Sequence, residues 1–108
     1  MAVYMVIEIE VLDQETYREY VERVAEIVVR NGGRYLVRGG LVRPVSGGWN
    51  PERMIVIAFP GLAAAEACFA SPAYLAVAPL RERSTRSRAV LLEGSEFQDQ
   101  PGPGWIGN

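Results

Sequence analysis

Residues 3–11, VYMVIEIEV, alternate in a way that predicts a β-strand with one wholly apolar face and one mixed face. The apolar face comprises Val3, Met5, Ile7 and Ile9. On the mixed face, Tyr4 and Val6 precede Glu8 and Glu10. A fold that contains this strand therefore has to cover apolar side chains on both sides of its sheet.

A long amphipathic helix is predicted directly after this strand. Asp13 is a typical N-cap residue, and Glu15 places negative charge in the first turn, where the helix dipole favours it. Apolar residues then recur at spacings of three and four: Tyr17, Tyr20, Val21, Val24, Ile27 and Val28. The polar side carries two pairs with the favourable spacing of four: Glu19–Arg23 and Glu26–Arg30. Asn31-Gly32-Gly33 is a typical helix end.

Three β-prone segments lie further along the chain. We expect residues 34–45 to form one strand, bulged or bent at Gly39-Gly40. This strand should lie at a sheet edge, because Pro44 has no backbone N–H to donate. Residues 53–59, RMIVIAF, are almost continuously apolar and predict a central strand. Residues 87–93 predict the last strand.

The second helical region, residues 62–83, is Ala-rich and contains two prolines. Ser71-Pro72 can end one helix and begin another, while Pro79 predicts a break or kink near Val77 or Ala78. The overall order is β-α-β-β-α-β. It predicts an α+β, ferredoxin-like sandwich, with a four-stranded antiparallel sheet in the order 4-1-3-2 and two helices on one face.

The second face of that sheet has no further element of the chain to cover it. A homodimer in which two such sheets pack face to face is the simplest remedy. We assign residues 1–94 to this domain. Residues 95–108 are a Gly- and Pro-rich C-terminal tail, with Phe97, Trp105 and Ile106 as candidate anchors on a partner subunit.

Composition excludes several kinds of chemistry. The 108 residues include no His and one Cys, and all eleven basic residues are Arg. The missing His excludes a Ser-His-Asp triad, an imidazole base and His-ligated zinc or haem, and a single Cys forms no intrachain disulfide. A net charge of -2 argues against nucleic-acid binding. The chain shows neither an export signal nor an apolar run of membrane-spanning length, so we expect a cytoplasmic protein that uses no metal or organic cofactor.

Five segments form a set with a distinctive order and spacing: Tyr4 to Tyr20, residues 32–40 (GGRYLVRGG), residues 49–60 (from WNPER to IVIAFP), Ser71-Pro72-Ala73-Tyr74, and Arg81. Together they resemble the DUF1330 family of the dimeric α+β barrel superfamily, over about residues 3–94. The resemblance implies a ferredoxin-like monomer that pairs through its sheet into a dimeric barrel. It implies little about activity, because the family is one of unknown function.

Relatives in the wider superfamily include cofactor-independent monooxygenases, muconolactone isomerase and haem-degrading enzymes, commonly with a cleft between sheet and helices. The haem-degrading relatives hold iron through a His, and several other enzymes of the superfamily use His as an acid-base group. This chain has no His, so the resemblance does not extend to those activities.

Arg38 and Arg53 are the first candidates for a functional site. They lie beside Gly39-Gly40 on strands predicted to pair, and two guanidinium groups could clamp a carboxylate or an enolate. In a structural alternative they form ion pairs with acidic residues of neighbouring strands, namely Glu8, Glu10, Glu52 or Glu93. Tyr17 and Tyr20 could present hydroxyls to a helix–sheet cleft and transfer protons beside an Arg, or their rings could serve the core.

Two aromatic residues and one basic cluster are further candidates. Trp49 could close a pocket or pack across the dimer interface, and Tyr74 could border the cleft or attach the second helix to the sheet. The cluster forms either a solvated helix end or an anion site, and it contains Arg81, Arg83, Arg86 and Arg88.

Two functions follow from these candidates. The first is a homodimer that binds a small organic acid or ketone and enolises or isomerises it, with Arg38 or Arg53 stabilising the anion and Tyr17 or Tyr20 exchanging the proton. The second is a non-catalytic ligand-binding or scaffold dimer. A partly polar pocket that contains Arg38 and a Tyr hydroxyl favours the first function. A cleft filled by core side chains favours the second: Phe69, Tyr74 and Leu80.

Overall fold

The computed structural model describes residues 1–94, so the tail from 95 to 108, with Phe97, Trp105 and Ile106, lies outside the described residues. The described part consists of four strands and three helices. In chain order they are β1 (Val3–Val11), α1 (Gln14–Arg30), β2 (Arg34–Arg38), β3 (Arg53–Phe59), α2 (Leu62–Ala70), α3 (Pro72–Ser84) and β4 (Thr85–Glu93).

The four strands form one antiparallel sheet in the order β2-β3-β1-β4, which is 4-1-3-2 when counted from the β4 edge. β1 occupies a central position and pairs with both β3 and β4. Val6, for example, lies between Val56 and Val90. Side chains that are directly opposite one another point to the same face, so this register also fixes which residues share each face.

The core lies between the sheet and the three helices. α1 begins where the Asp13 side chain accepts the backbone N–H of Thr16, and it buries the predicted apolar stripe. Both predicted ion pairs on its outer side are present, Glu19–Arg23 and Glu26–Arg30. The buried cluster joins strand and helix residues, among them Ile9, Ile57, Phe59, Val28, Cys68 and Val77.

The strand predicted over residues 34–45 is wrong beyond Arg38. The Gly39 N–H still donates to the Met54 carbonyl at 2.9 Å, but β2 ends there and residues 41–45 form no strand. Gly39 and Gly40 both have positive φ, 81° and 100°, and this left-handed backbone turns the chain away from the sheet. A register shift is present earlier, between Tyr35 and Val37. β2 does lie at an edge of the sheet, as expected.

The second helical region forms two separate helices, so the sheet carries three helices rather than two. α2 ends at Ser71, whose Oγ accepts the Tyr74 N–H at 3.1 Å and so caps α3. Of the break or kink expected near Val77 or Ala78, the break does not occur: α3 runs through Pro79 to Ser84. Pro79 lies on the exposed side, where water can bond the freed carbonyl, while Val77 and Leu80 are buried and hold the helix in place.

The last strand begins at Thr85, two residues earlier than expected, since Thr85 already pairs with Val11. Among residues 1–94, no single helix has the length and apolar character to cross a membrane. α2 and α3, which are bent by 71° relative to each other, reach that length only when they are counted together.

The sheet face opposite the helices is not covered by any element within residues 1–94. Its centre is apolar, with Tyr4 and Val6 of β1 flanked by residues of β3 and β4 in register. Large apolar side chains stay exposed there: Val37, Val90 and Leu92. The uncovered face expected from the sequence is therefore present.

Pro79→Ala should raise the free energy of unfolding by about 1–2 kcal/mol, because Ala restores the missing helical N–H. The entropy that the unfolded chain gains offsets part of this stabilisation. Pro72→Ala is the matched control: Pro72 is also exposed but lies in the first turn, where no hydrogen bond is missing. Urea unfolding of both variants measures the difference. An equal effect of the two substitutions would contradict this account of α3.

Candidate functional site

A cleft of about 50 Å³ lies between α1 and the sheet. Its floor and walls are mainly Ile and Val side chains of β1, α1 and β3. Six side chains make its polar lining: Tyr17, Tyr20, Tyr35, Arg38, Arg53 and Arg81. Among the lining residues that the structure describes there are three Arg and no Asp or Glu. The cleft is therefore positively charged in a chain whose net charge is -2.

A second compartment of about 300 Å³ shares residues with the cleft. Ile7, Tyr20, Phe69 and Arg81 line both spaces. Tyr74 and Ser87 line the second compartment but not the cleft. Its lining again includes Arg side chains and no carboxylate from residues 1–94. No group of three or more potential metal ligands occurs in the described chain.

Arg53, the first residue of β3, is held by three contacts. Its Nε donates to the Tyr17 hydroxyl at 3.1 Å, and its Nη2 donates to the Arg38 carbonyl at 3.3 Å. Its guanidinium carbon lies 5.6 Å from the centre of the Tyr17 ring. Gly39 makes this arrangement possible, because a Cβ at that position would overlap the guanidinium group. The glycine therefore allows both the end of β2 and the placement of Arg53.

Arg38 lies on the Tyr35 ring, 4.5 Å from its centre, and lines the cleft. The ion pairs offered as the alternative role of Arg38 and Arg53 are not found among residues 1–94. Three of the four acidic residues in that alternative have other partners. Glu8 pairs with Arg88, Glu10 pairs with Arg86, and Glu52 accepts the Val11 N–H.

Tyr20 and Tyr74 join α1 to α3 through their hydroxyls, which are 3.1 Å apart. The Tyr20 ring also stacks on Tyr17 and meets Tyr74 edge to face. Burial, reinforced by the neighbouring Tyr74, raises the pKa of Tyr20 well above its usual value. Tyr20 is consequently a neutral hydrogen-bonding group. Tyr74 combines the two roles considered for it, since it attaches α3 and borders the larger compartment.

Trp49 lies on the opposite face of the sheet, away from the cleft. Its Nε1 donates to Glu8 at 3.1 Å, and Arg88 binds the other oxygen of the same carboxylate. These hydrogen bonds, that of Arg88 first, lower the pKa of Glu8. Trp49 also borders a cavity of about 300 Å³ with Val6 and Val90. Of the two roles considered for Trp49, its position fits packing at the uncovered sheet face.

The basic cluster at the end of α3 is divided between the two faces of the sheet. Arg86 and Arg88 pair with glutamates on the uncovered face, and Arg83 is exposed. Arg81 alone among these four lines the cleft, and its Nη1 donates to Ser87 Oγ at 3.1 Å.

Two residues of this site, Arg81 and Tyr35, were not predicted individually as site residues: Arg81 belonged to the family resemblance and to the basic cluster, and Tyr35 to the resemblance alone. A signal for Arg81 existed, because it follows the buried positions of α3 at helical spacing: Tyr74, Val77, Ala78 and Arg81. No comparable signal existed for Tyr35. Its inward orientation follows from pairing with Ile57 on β3, and burial raises its pKa.

Solved structures resemble this fold at low sequence identity. RPA0582 from Rhodopseudomonas palustris, a protein of unknown function, is 16% identical over 89% of this chain and 84% of that chain, with a TM-score of 0.73. A dimeric ferredoxin-like protein of unknown function from Jannaschia sp. CCS1 is 16% identical over 87% and 100%, with a TM-score of 0.69. SnoaB, a cofactor-independent oxygenase from Streptomyces nogalater, is 17% identical over 92% and 98%, with a TM-score of 0.62.

Identities this low establish a shared fold and nothing more specific. No protein of curated function matches the chain in sequence. The model of one family, described as a domain of unknown function (DUF1330), matches residues 2–95. That match spans β1 to β4 with the cleft between them, and the chain belongs to the DUF1330 family.

Proposed function

We propose that the protein is a cytoplasmic homodimer that binds a small organic acid or ketone in the helix–sheet cleft and exchanges a proton next to its carbonyl group, without a cofactor. The observation that carries this proposal is the hydrogen bond from Arg53 to the Tyr17 hydroxyl, inside a cleft with three Arg and no described carboxylate. Positive charge without a fixed counter-charge favours a ligand that is anionic or becomes so during reaction.

In this mechanism the carbonyl oxygen lies within reach of Arg38 and Arg53. A proton passes from the adjacent carbon to the Tyr17 oxygen, and the carbonyl becomes an enolate whose charge the guanidinium groups stabilise. Return of the proton to the same carbon gives exchange, and its return to another carbon gives isomerisation. Tyr17 acts in this step as the phenolate, whose oxygen takes the proton and gives it back when the product forms.

Tyr20 has a positioning role in this proposal. Its hydroxyl is engaged with Tyr74 and its raised pKa keeps it protonated, which makes it a poor proton acceptor. Its stacking on Tyr17 instead supports the orientation of that ring. SnoaB, which shares this fold, is described as a cofactor-independent oxygenase, and that description supports the general idea of side-chain chemistry on such a scaffold.

The second candidate function is a non-catalytic binding or scaffold dimer. It is favoured by the packing of Phe69 against Tyr74, whose ring centres are 4.9 Å apart, and by the small volume of the cleft, about 50 Å³. Leu80 of α3 is also buried in the core. The two functions differ in whether Tyr17 takes part in chemistry, which the exchange rate of Tyr17→Phe decides.

The homodimer in this proposal forms through the uncovered sheet face. Exposed apolar residues of β4 and the Trp49 side chain lie on that face, and burial of such a surface is favourable. Two structural neighbours are described as dimeric ferredoxin-like proteins, from Jannaschia sp. CCS1 and Bacteroides fragilis.

Tyr17→Phe should lower the rate of deuterium uptake next to the carbonyl of 2-pentanone or 4-oxopentanoate by about 100-fold or more, since it removes the proton-transfer group. Proton NMR in D₂O measures the uptake. Tyr4→Phe, on the opposite sheet face, is the control and should exchange at the wild-type rate. Undiminished exchange in Tyr17→Phe would favour the non-catalytic function.

Gly39→Ala should lower the exchange rate because the new Cβ displaces Arg53 from Tyr17. Gly40→Ala is the matched control: Gly40 also has a positive φ, but no atom lies within 4 Å of its added Cβ. Both substitutions should cost about 1–2 kcal/mol of stability through backbone strain, measured by urea unfolding. Only Gly39→Ala should affect exchange, and an equal loss in both variants would remove Arg53 from the mechanism.

Val90→Asp should shift the protein from dimer to monomer at micromolar concentration, because it places a charge beside Val6 on the proposed apolar interface. Leu75→Asp is the control, since Leu75 is equally exposed (58% against 56% for Val90) but lies on α3. Sedimentation velocity measures the mass. A monomeric wild type, or a dimeric Val90→Asp, would argue against association through this face.

A further inference from the structure

Arg81 is a half-buried cation whose hydrogen bonding is incomplete within residues 1–94. It projects from the last turn of α3, and its Nη1 donates to Ser87 Oγ. Its Nε is buried and has no hydrogen-bond partner among the described residues. A buried donor without a partner is costly, and an Arg side chain does not escape that cost by losing its proton.

The geometry of the guanidinium group indicates which ligand would satisfy it. Arg81 uses Nη1 for its hydrogen bond to Ser87. The edge of the guanidinium group formed by Nε and Nη2 takes no part in that contact. The two N–H groups on such an edge are parallel and match the two oxygens of a carboxylate. Arg81 lines both the cleft and the larger compartment, and neither lining includes a carboxylate from residues 1–94.

We propose that Arg81 binds the carboxylate of the ligand and that the ligand is a keto acid. Its carboxylate pairs with Arg81, and its carbonyl lies at the end of the cleft that contains Arg53 and Tyr17. The assignment of the carbonyl end rests on the proposed function. The assignment of the carboxylate to Arg81 stands on the incomplete hydrogen bonding of that side chain.

The sheet register places the two ends of the ligand site on different strands. Ile9 lies directly between Arg53 on β3 and Ser87 on β4, and all three side chains face the helices. Neighbouring strands are about 4.8 Å apart, so the backbones of Arg53 and of Ser87, whose hydroxyl accepts from Arg81, are about 10 Å apart. A keto acid with two or more carbons between carbonyl and carboxylate suits sites on such separate strands better than a 2-oxo acid. We therefore expect a 4-oxo or longer acid.

Calorimetric titration with three related probes tests this assignment: 4-oxopentanoate, pentanoate, which lacks the carbonyl, and 2-pentanone, which lacks the carboxylate. Arg81→Gln should weaken binding of both acids about tenfold or more and leave 2-pentanone unchanged. Arg83→Gln, on the same turn but exposed, should bind all three as the wild type does. Wild type should bind 4-oxopentanoate more tightly than pyruvate.

Equal binding of 4-oxopentanoate by wild type and Arg81→Gln would overturn the proposal, and equal affinity for pyruvate would overturn the spacing argument. If Arg81→Gln fails to fold, Arg81→Lys is used, because it keeps the charge but loses the two-point edge. Binding of 2-pentanone without binding of either acid would overturn the keto-acid assignment and leave the proposed function standing. Acid binding that depends on Arg81, without exchange that depends on Tyr17, would overturn the proposed function alone.

Discussion

The central position of β1 is the constraint on which the rest of the structure depends. Because β1 pairs with both β3 and β4, its backbone hydrogen bonds are satisfied within the sheet, and its side chains are shared between two faces. The helices can cover only one of these faces. The cleft belongs to the covered face, where Ile7 and Ile9 form part of its lining, and the apolar surface around Val6 belongs to the other.

The arginines divide along the same two faces. Arg86 and Arg88 are paired with glutamates on the outer face, where such exposed pairs contribute little stability. Arg38, Arg53 and Arg81 face the helices, where their partners are tyrosine, serine and backbone carbonyl groups. Neutral partners leave the positive charge uncompensated. The chemistry of the cleft therefore follows from which strand face each Arg occupies.

Much of the fold was predictable because it depends on local periodicity. The alternation of β1 and the three- and four-residue spacing of α1 are visible in the sequence, and both elements occur where expected. A helix break at Pro79 and a strand over residues 41–45 were expected from local propensity, and neither occurs. Burial of Val77 and Leu80 holds α3 together, and two left-handed glycines redirect the chain after Arg38.

The candidate site was less predictable, because it depends on which residues different strands bring together. The sequence identifies Tyr17 and Arg53 as candidates, but their contact across 36 positions of chain depends on the register of β3. The placement of Trp49 on the outer face required the position of Glu8. Arg81 was grouped with its charged neighbours in sequence, although its helical spacing aligns it with buried residues.

The two-sided role of β1 also affects how this protein tolerates random change. Of its nine residues only Glu10 is exposed, and the remaining positions contact the core, the cleft or the outer apolar surface. α2 and α3, by contrast, have exposed positions on every turn. Substitutions in β1 should therefore be tolerated less well than substitutions at the exposed positions of α2 and α3.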